Sequence, residues 1–269
     1  MSRAADPFVE LKARQRDMWT SFVPNATFTT PVAAHMVEFA DIKPGEVVLD
    51  VGTGTGVVAI TAARAGASVT GLDLTPSLLD VARQNSTISN LNSIRWVEGD
   101  VENISLPDSS FDVVVSQFGH MFAPRPEVTI SEMHRVLKPG GRIAFATWPP
   151  EHFFGQLFAF VRKYSPPPPT GVAPSMQWGN PAIVAERLGS RFEAPIFSRG
   201  VLQFPALSLS HFREFSERSL GPMQKLVEVF ANDSDQLASL RAEFENMARP
   251  YFIGNVIRQD YLLTRAKAR

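Results

Sequence analysis

The feature that most constrains this chain is a glycine-rich turn that lies between an apolar run and a helical pattern. The run Val47–Val51 contains one carboxylate, Asp50, and the next five residues read GTGTG, with glycine at every second position. Glycine permits φ > 0 and lets a ligand approach the bare backbone, and a helix N-terminus presents N–H groups without partners. The stretch therefore predicts a strand, a tight turn that cradles a ligand, and a helix that begins at Val57.

The spacing of the glycines separates two classes of ligand. Dinucleotide-binding turns follow G-x-G-x-x-G, whereas here Gly56 comes one residue early and Val57 takes the place of the third glycine. A pyrophosphate would gain nothing from Asp50, but a cationic amino-acid group would be attracted to it. The pattern therefore favours a ligand with such a group, and an NAD-dependent oxidoreductase is the weaker alternative.

Strands and helices alternate regularly between residues 47 and 148. The predicted strands are residues 47–51, 68–73, 94–98, 111–117 and 142–148. Alternation with short connections predicts a parallel sheet. We expect an α/β fold, with a doubly wound, mainly parallel seven-stranded sheet, helices on both faces and a helical lid over the active site. A final strand at 259–265 is expected to pair with residues 196–204 at the sheet edge.

Polar side chains end four of these strands. Asp50, Asp73, Asp100 and Gln117 all fall at the carboxyl ends, beyond which ligands of such sheets bind. A carboxylate at Asp73 can accept hydrogen bonds from both hydroxyls of a ribose, although a dehydrogenase would use an acid in the same place. Asp100 can take the exocyclic amine of adenine while Val101 packs on the base. The set predicts a nucleoside ligand.

Three segments together resemble one family, the class I S-adenosylmethionine (SAM)-dependent methyltransferases. Asp50 with its glycine turn resembles motif I, and residues 111–114 (FDVV) and 135–141 (RVLKPGG) resemble the fourth- and fifth-strand signatures. The resemblance covers residues 30–150 and implies a Rossmann-like methyltransferase fold, SAM as cofactor and no metal. Residues 116–124 and 148–151 are similar to segments of the ubiquinone- and menaquinone-biosynthesis-like branch, which acts on small molecules.

The resemblance also implies a role for each position of the site. Asp50 and the glycine turn would hold the methionine part of SAM, Asp73 would hold the ribose, and Gln117 would face the sulfonium. Asp100 and Val101 would clamp the adenine. The implied cofactor-binding residues are Asp50, Gly52, Thr53, Gly54, Thr55, Gly56, Asp73, Leu74, Asp100, Val101 and Gln117. Alternatively, Asp100 caps a helix and Gln117 fills the strand end.

His120 is the candidate catalytic residue. Methyl transfer from a sulfonium needs alignment and a dry pocket, and only a protonated nucleophile also needs a base. His120 lies just past the fourth strand, and an unperturbed imidazole titrates near ~6.5. The alternative is that His120 lines the pocket or holds a loop. A cysteine-based zinc site is excluded, because the chain has no cysteine.

The regular alternation ends at Trp148, and the rest of the chain is rich in phenylalanine. Twelve of the 20 phenylalanines lie between residues 118 and 215, and many must belong to the core. Candidate walls of an apolar acceptor pocket are Phe118, Phe122, Phe153, Phe154 and Trp178, with Trp19, Phe22 and Phe28 closing it from the N-terminal side. This composition favours a small apolar or aromatic acceptor.

We expect a single domain with three parts. These are an N-terminal helical lid (1–29), a SAM-binding core (30–150), and an acceptor-site cover with the C-terminal strand pair (151–269). Within the lid, residues 8–22 are predicted to form an amphipathic helix that ends at Pro24. Thr30 and Pro31 are predicted to begin the second helix, with proline at its first position.

The composition of the chain limits the classes of partner that it can bind. The net charge is −1 and no run of Lys or Arg occurs, which weighs against nucleic acid, because phosphate binding needs a basic footprint. Residues 1–7 lack the apolar core of a signal peptide, and no apolar stretch reaches the ~20 residues of a membrane span. These features predict a cytoplasmic enzyme. A protein or RNA acceptor, or a SAM-binding protein without transferase activity, remains an alternative to a small-molecule methyltransferase.

Overall fold

The computed structural model describes residues 6–269, so residues 1–5 of the predicted lid lie outside it. One sheet forms its centre, with the strand order β3-β2-β1-β4-β5-β8-β6, and a two-residue strand, β7, pairs with β8. The strands are β1 (Val47–Val51), β2 (Ser68–Asp73), β3 (Arg95–Glu98), β4 (Phe111–Gln117), β5 (Leu137–Thr147), β6 (Ile196–Pro205), β7 (Phe252–Ile253) and β8 (Val256–Lys267). The helices are α1 (Val9–Trp19), α2 (Val23–Phe39), α3 (Val57–Arg64), α4 (Pro76–Ile88), α5 (Pro126–Val136), α6 (Phe153–Lys163), α7 (Pro181–Leu188), α8 (Leu209–Ser219), α9 (Gly221–Val229) and α10 (Ser234–Ala248).

The first five strands form the parallel half of the sheet. β1 pairs in parallel with β2 and β4, β2 with β3, and β4 with β5. Residues 48–51 and 113–116 are continuously buried, as a parallel sheet covered by helices requires. The strand order reverses between β1 and β4, which opens a crevice at their carboxyl ends. The predicted doubly wound α/β fold is confirmed.

The last long strand lies inside the sheet. β8 runs antiparallel to both β5 and β6, so the predicted pairing with the 196–204 run is confirmed and β6 forms the edge. In this register Leu202 is opposite Gln259 and Phe204 is opposite Ile257. Directly paired residues of neighbouring strands point to the same face. The register therefore places an amide, Gln259, among apolar side chains on one face of the sheet.

The predicted division of the N-terminal helices is wrong. α1 ends at Trp19, a single 3-10 turn covers Thr20–Phe22, and α2 then runs from Val23 through Pro31 to Phe39. Proline is tolerated in the first helical turn, which explains why Pro24 begins a helix here. Pro31 removes one intrahelical hydrogen bond. The burial of α2 residues both before and after Pro31 compensates for that loss.

The apolar core has two parts. The larger cluster surrounds the sheet, and the smaller one lies among α6, β6, α8, α9 and α10. Phe154 packs against both clusters, so the seam between them passes beside the carboxyl ends of β4 and β5. In the described chain, no helix is long and apolar enough to cross a membrane. The three-part division and the cytoplasmic location remain predictions.

Candidate active site

Each of the three glycines in the turn is required for a different steric reason. Gly52, Gly54 and Gly56 have φ of +64°, +54° and +85°. A Cβ on Gly52 would lie 2.8 Å from Gly119 Cα, and one on Gly56 would lie 2.7 Å from the Trp96 ring. A Cβ on Gly54 would meet no atom within 4 Å. Gly54 is therefore the glycine whose open side faces the cavity, where a ligand can approach the backbone.

Asp50 has one carboxylate oxygen without a protein partner. Its Oδ2 accepts hydrogen bonds from Thr53 Oγ1 at 2.6 Å and from Ala59 N at 3.1 Å. Its Oδ1 is buried and has no hydrogen-bond partner among the described residues. Burial raises the pKa of Asp50 to about 7, against the effect of those two hydrogen bonds. A cationic amino group at Oδ1 would supply the missing partner and favour the ionised carboxylate.

The side chains beneath the turn form a small cleft. Asp50, Thr53 and Thr55 line it together with Gln117. Thr55 Oγ1 and Gln117 Oε1 are both buried without a partner in residues 6–269. Buried polar atoms are nearly always paired in folded proteins. Three such atoms around one turn leave partners for a polar ligand, and the assignment of Asp50 and the turn to the methionine part of SAM and of Gln117 to the sulfonium stays a prediction.

Asp73 supports the turn from the neighbouring strand. Its Oδ2 accepts from Gly54 N at 2.7 Å and its Oδ1 accepts from Thr75 N at 2.8 Å. Burial raises the pKa of Asp73, while these backbone hydrogen bonds act in the opposite direction. Asp73 and Leu74 both line the main cavity. Each carboxylate oxygen keeps a second acceptor site, which suits the predicted ribose contact.

Asp100 and Val101 also line the cavity, but Asp100 is already paired. Its Oδ2 accepts from Lys12 Nζ at 2.6 Å, and its Oδ1 accepts from the backbone N of Glu102 at 2.8 Å. Lys12 also donates to Asp6 and to Glu102. The helix-cap alternative is wrong, because the segment after Asp100 is a turn and not a helix. Lys12 could not be identified from the sequence, because nothing there reveals its distant partners.

Gln117 connects the end of β4 to α2. Its Nε2 donates to Thr29 O at 3.0 Å, while its Oε1 is left without a partner in the described chain. The next residue, Phe118, has φ +62°, which is uncommon for a bulky residue. Gly52 and Gly119 touch at this point, so the turn fixes the chain directly after Phe118. Strained backbone of this kind is typical of binding sites.

The structure gives the predicted base role of His120 no support. The ring is packed between Phe145, at a centroid distance of 4.6 Å, and Trp178, at 4.7 Å. Both ring nitrogens are buried without a partner among residues 6–269. Burial lowers the pKa of His120 to about 3, with a smaller contribution from Arg187. A molecule in the cavity cannot reach either nitrogen in this conformation, so the structure favours the structural alternative.

Aromatic rings build one wall of the cavity. Phe118 stacks on Trp148 at 3.8 Å and 8°, and Trp148 stacks on Phe154 at 4.2 Å and 26°. Of the predicted wall residues, those that line the cavity are Phe118, Phe122, Phe154, Trp19, Phe22 and Phe28. The prediction was wrong for Phe153, which is buried in the smaller core cluster, and for Trp178, which packs on His120.

The main cavity is continuous from the glycine turn to the smaller core cluster. The cofactor side is lined by Gly54, Asp73 and Asp100 and the acceptor side by residues of α2, α6, α8, α9, β6 and β8. The acceptor-side residues are Asn25, Phe28, Thr29, Phe154, Leu157, Phe158, Val161, Leu202, Phe204, Phe212, Phe215, Ser216, Ser219, Leu220, Pro222, Met223 and Gln259. A nucleoside-binding crevice that opens into an apolar chamber is suited to group transfer between two ligands.

Comparisons with known proteins agree with this site. A methyltransferase domain model matches residues 49–145. An uncharacterised protein of Mycobacterium tuberculosis is 33% identical over 238 residues, which cover 88% of this chain and 86% of that protein. The demethylmenaquinone methyltransferase of Deinococcus radiodurans is 42% identical over 115 residues, which cover 41% of this chain and 47% of that enzyme.

The solved structures show the same fold. A Bacillus halodurans protein named as a methyltransferase superposes with a TM-score of 0.58 at 22% identity, and the match covers 87% of this chain and 97% of that one. The fold and the site thus define a nucleoside-binding α/β transferase. The chain belongs to the class I SAM-dependent methyltransferases, and SAM is its cofactor.

Proposed function

We propose that the protein transfers the methyl group of SAM to a small apolar or aromatic acceptor by in-line displacement. The observation that carries this proposal is the continuity of one cavity from the carboxylates of β2 and β3 to the phenylalanine-rich chamber. Both substrates can therefore occupy one water-poor space. The apolar lining favours a small molecule with little charge, in keeping with the predicted branch of the family.

Bound SAM supplies an electrophilic methyl group on a positively charged sulfur. The acceptor atom forms a bond to the methyl carbon, the sulfur–methyl bond breaks, and its electron pair stays on sulfur to give S-adenosylhomocysteine. The chain contributes binding and alignment. Asp50 and the turn would hold the amino-acid part, Asp73 would hold the ribose, and Gln117 would face the sulfur. The stacked Phe118 and Trp148 restrict the acceptor to one approach and exclude water.

The proposal requires no side-chain base. In the described chain, the ionisable side chains that line the cavity are Lys12, Asp73, Asp100 and His120. The first three lie on the cofactor side, and both nitrogens of His120 are inaccessible. The acceptor therefore attacks as a neutral molecule through a free electron pair, and any proton on the attacking atom is released to solvent after the methyl transfer.

The test is transfer of tritium from methyl-labelled SAM. We expect label in the organic phase when small phenols or hydroquinones, such as 2-naphthol, are offered in a panel. A short lysine- and arginine-containing peptide and a short RNA, offered in parallel, should stay unlabelled. Label confined to the peptide or the RNA would overturn the small-molecule proposal. SAM binding without transfer to any class of acceptor would favour the non-catalytic alternative.

A further inference from the structure

We infer that the acceptor is an uncharged, mainly apolar molecule with one hydroxyl or carbonyl group, and that Gln259 binds this group. The inference rests on the proposed function and identifies the substrate class of the same cavity. Two observations carry it: the absence of charge on the acceptor side, and the unpaired amide of Gln259 within it.

The first observation concerns charge. Among the described residues, no Asp, Glu, Lys or Arg lines the acceptor side of the cavity, and burial lowers the pKa of His120, which lines the cavity at the end of β4, to about 3 and keeps it neutral. The charged residues of the cavity, Lys12, Asp73 and Asp100, all belong to the cofactor side. A carboxylate, phosphate or ammonium on the acceptor would lose its hydration there without gaining a charged partner. The chamber therefore selects against charged molecules.

The second observation concerns hydrogen bonds. Four other amides and hydroxyls line the acceptor side, and each donates to a main-chain carbonyl. Asn25 donates to Ser219 O at 2.7 Å, Thr29 to Ala26 O at 2.8 Å, Ser216 to Phe212 O at 2.8 Å and Ser219 to Phe215 O at 2.7 Å. These bonds hold α2 and α8 in shape, and they use the hydroxyl hydrogens of Thr29, Ser216 and Ser219 and one of the two amide hydrogens of Asn25.

Gln259 differs from these four side chains. It is 4% exposed and lines the cavity, yet its side-chain amide has no hydrogen-bond partner within residues 6–269. It is paired with Leu202, and the face it shares includes Phe204 and Ile257. Because the side chain lines the cavity, a ligand there can reach its amide. A hydroxyl or carbonyl group of the ligand can pair with it, because an amide offers both donors and an acceptor.

Gln259 also has the position that a specificity residue needs. It lies on β8 and is paired there with Leu202 of β6, and the pairing of β8 with β5 begins three residues further on, at Leu262. A side chain on such a strand is fixed more firmly than one on a loop. Tyr261, two residues further on the same face, packs edge-on against Phe118. Gln259 is thus held at a fixed position relative to the aromatic wall that Phe118 forms at the end of β4.

The experiment compares three probes that share one ring system. Naphthalene, 2-naphthol and 2-naphthoate are dialysed to equilibrium against the full-length protein loaded with S-adenosylhomocysteine. The variant is Gln259→Leu. The matched control is Gln203→Leu, which makes the same change at an exposed position on β6. Affinity for S-adenosylhomocysteine is measured for each protein first.

We expect wild type and Gln203→Leu to bind 2-naphthol about tenfold more tightly than naphthalene, and 2-naphthoate more weakly than either. Gln259→Leu should lose the preference for 2-naphthol and still bind naphthalene and S-adenosylhomocysteine. An unchanged preference in Gln259→Leu, tightest binding of 2-naphthoate, or no binding of any probe would overturn the inference. Failure of wild type to bind S-adenosylhomocysteine would instead overturn the proposed function, so the two failures are distinguishable.

Discussion

Lys12 Nζ lies 2.6 Å from Asp100 Oδ2, and this contact joins the N-terminal helix to the loop that follows β3. Lys12 donates at the same time to Asp6 at 2.6 Å and to Glu102 at 2.7 Å. Burial opposes the charge of Lys12, but the hydrogen bonds that Lys12 donates to the three carboxylates outweigh this effect and raise the pKa of Lys12. Arg125 completes the group through Glu102 and Asp6. The network holds α1 against the predicted adenine site.

Lys12→Met should loosen α1 and destabilise the protein. Removing one partner of a buried ion pair leaves the other charges without compensation, which costs about 3 kcal/mol. We expect the free energy of unfolding to fall by about that amount and hydrogen exchange in residues 9–19 to accelerate. The control is Lys43→Met, which breaks only an exposed pair with Asp41 and should cost less than about 1 kcal/mol. Equal effects of the two substitutions would show that the network does not hold α1.

Gly54→Ala should weaken SAM binding more than it destabilises the fold. The Cβ of the introduced alanine would extend into the open space above the turn, where no protein atom lies within 4 Å. The positive φ alone costs roughly 1–2 kcal/mol for a residue with a side chain. Gly45→Ala is the matched control, because Gly45 also has positive φ, at +85°, and also meets nothing within 4 Å.

Calorimetry with SAM and urea unfolding separate the two effects. Gly54→Ala and Gly45→Ala should lose similar stability, while only Gly54→Ala loses affinity for SAM. Equal SAM affinity in the two variants would contradict the placement of the methionine part above Gly54.

His120→Leu tests the buried position of the imidazole. The pKa of His120 is lowered to about 3 by burial, so the folded protein keeps the ring neutral where the unfolded chain protonates it. This contribution to stability is fully present above the unfolded pKa of ~6.5 and is lost as the pH falls towards 3. Leucine has a similar volume and does not titrate.

We therefore expect His120→Leu to lose less stability than wild type between pH 7 and pH 5, measured by urea unfolding. His120→Ala should cost about 3 kcal/mol at neutral pH, because it leaves a cavity between two aromatic rings. Retained methyl transfer in His120→Leu is the expected result. Loss of turnover at unchanged stability and SAM affinity would restore His120 to the mechanism.

The sheet and the cofactor side were predictable from the sequence because their signals are local. Strands β1, β2 and β4 are short, mainly buried runs, and a polar residue (Asp50, Asp73 or Gln117) lies at or next to the end of each. Asp50, Asp73 and the glycines could therefore be placed before any contact was known. The fold follows from that alternation, because parallel strands bring their carboxyl ends to one edge.

The acceptor side could not be predicted because its residues meet only through the tertiary fold. Gln259 lies 57 residues from its strand partner Leu202, and no motif surrounds it. The packing of His120 could not be predicted for a related reason: its position in the chain is close to the site, but Trp178 packs on its ring from 58 residues away. The N-terminal helices were divided at Thr30 because proline was read as a helix start, although tertiary burial keeps α2 continuous through Pro31.

SAM affinity should depend on pH through Asp50. Burial raises the pKa of Asp50 to about 7, so the carboxylate of the free protein ionises only near neutral pH. The ionised form attracts the ligand's ammonium group, which itself loses its proton near ~8. We expect affinity for S-adenosylhomocysteine to rise with pH through about 7 and to fall above about 8. Asp50→Asn should bind more weakly and lack the rise.

Stability should show the opposite dependence in the free protein. Because the folded pKa of Asp50 exceeds the unfolded value of 3.8, the folded state retains a proton that the unfolded chain releases, and stability falls as the pH rises from about 4 to 7. Asp50→Asn should remove this fall.

Asp112→Asn, at the opposite end of β4 where the carboxylate binds Val47 N and Lys138, should keep the wild-type pH dependence of affinity. If Asp112→Asn also lost the rise of S-adenosylhomocysteine affinity with pH, Asp50 would not be the origin of that rise.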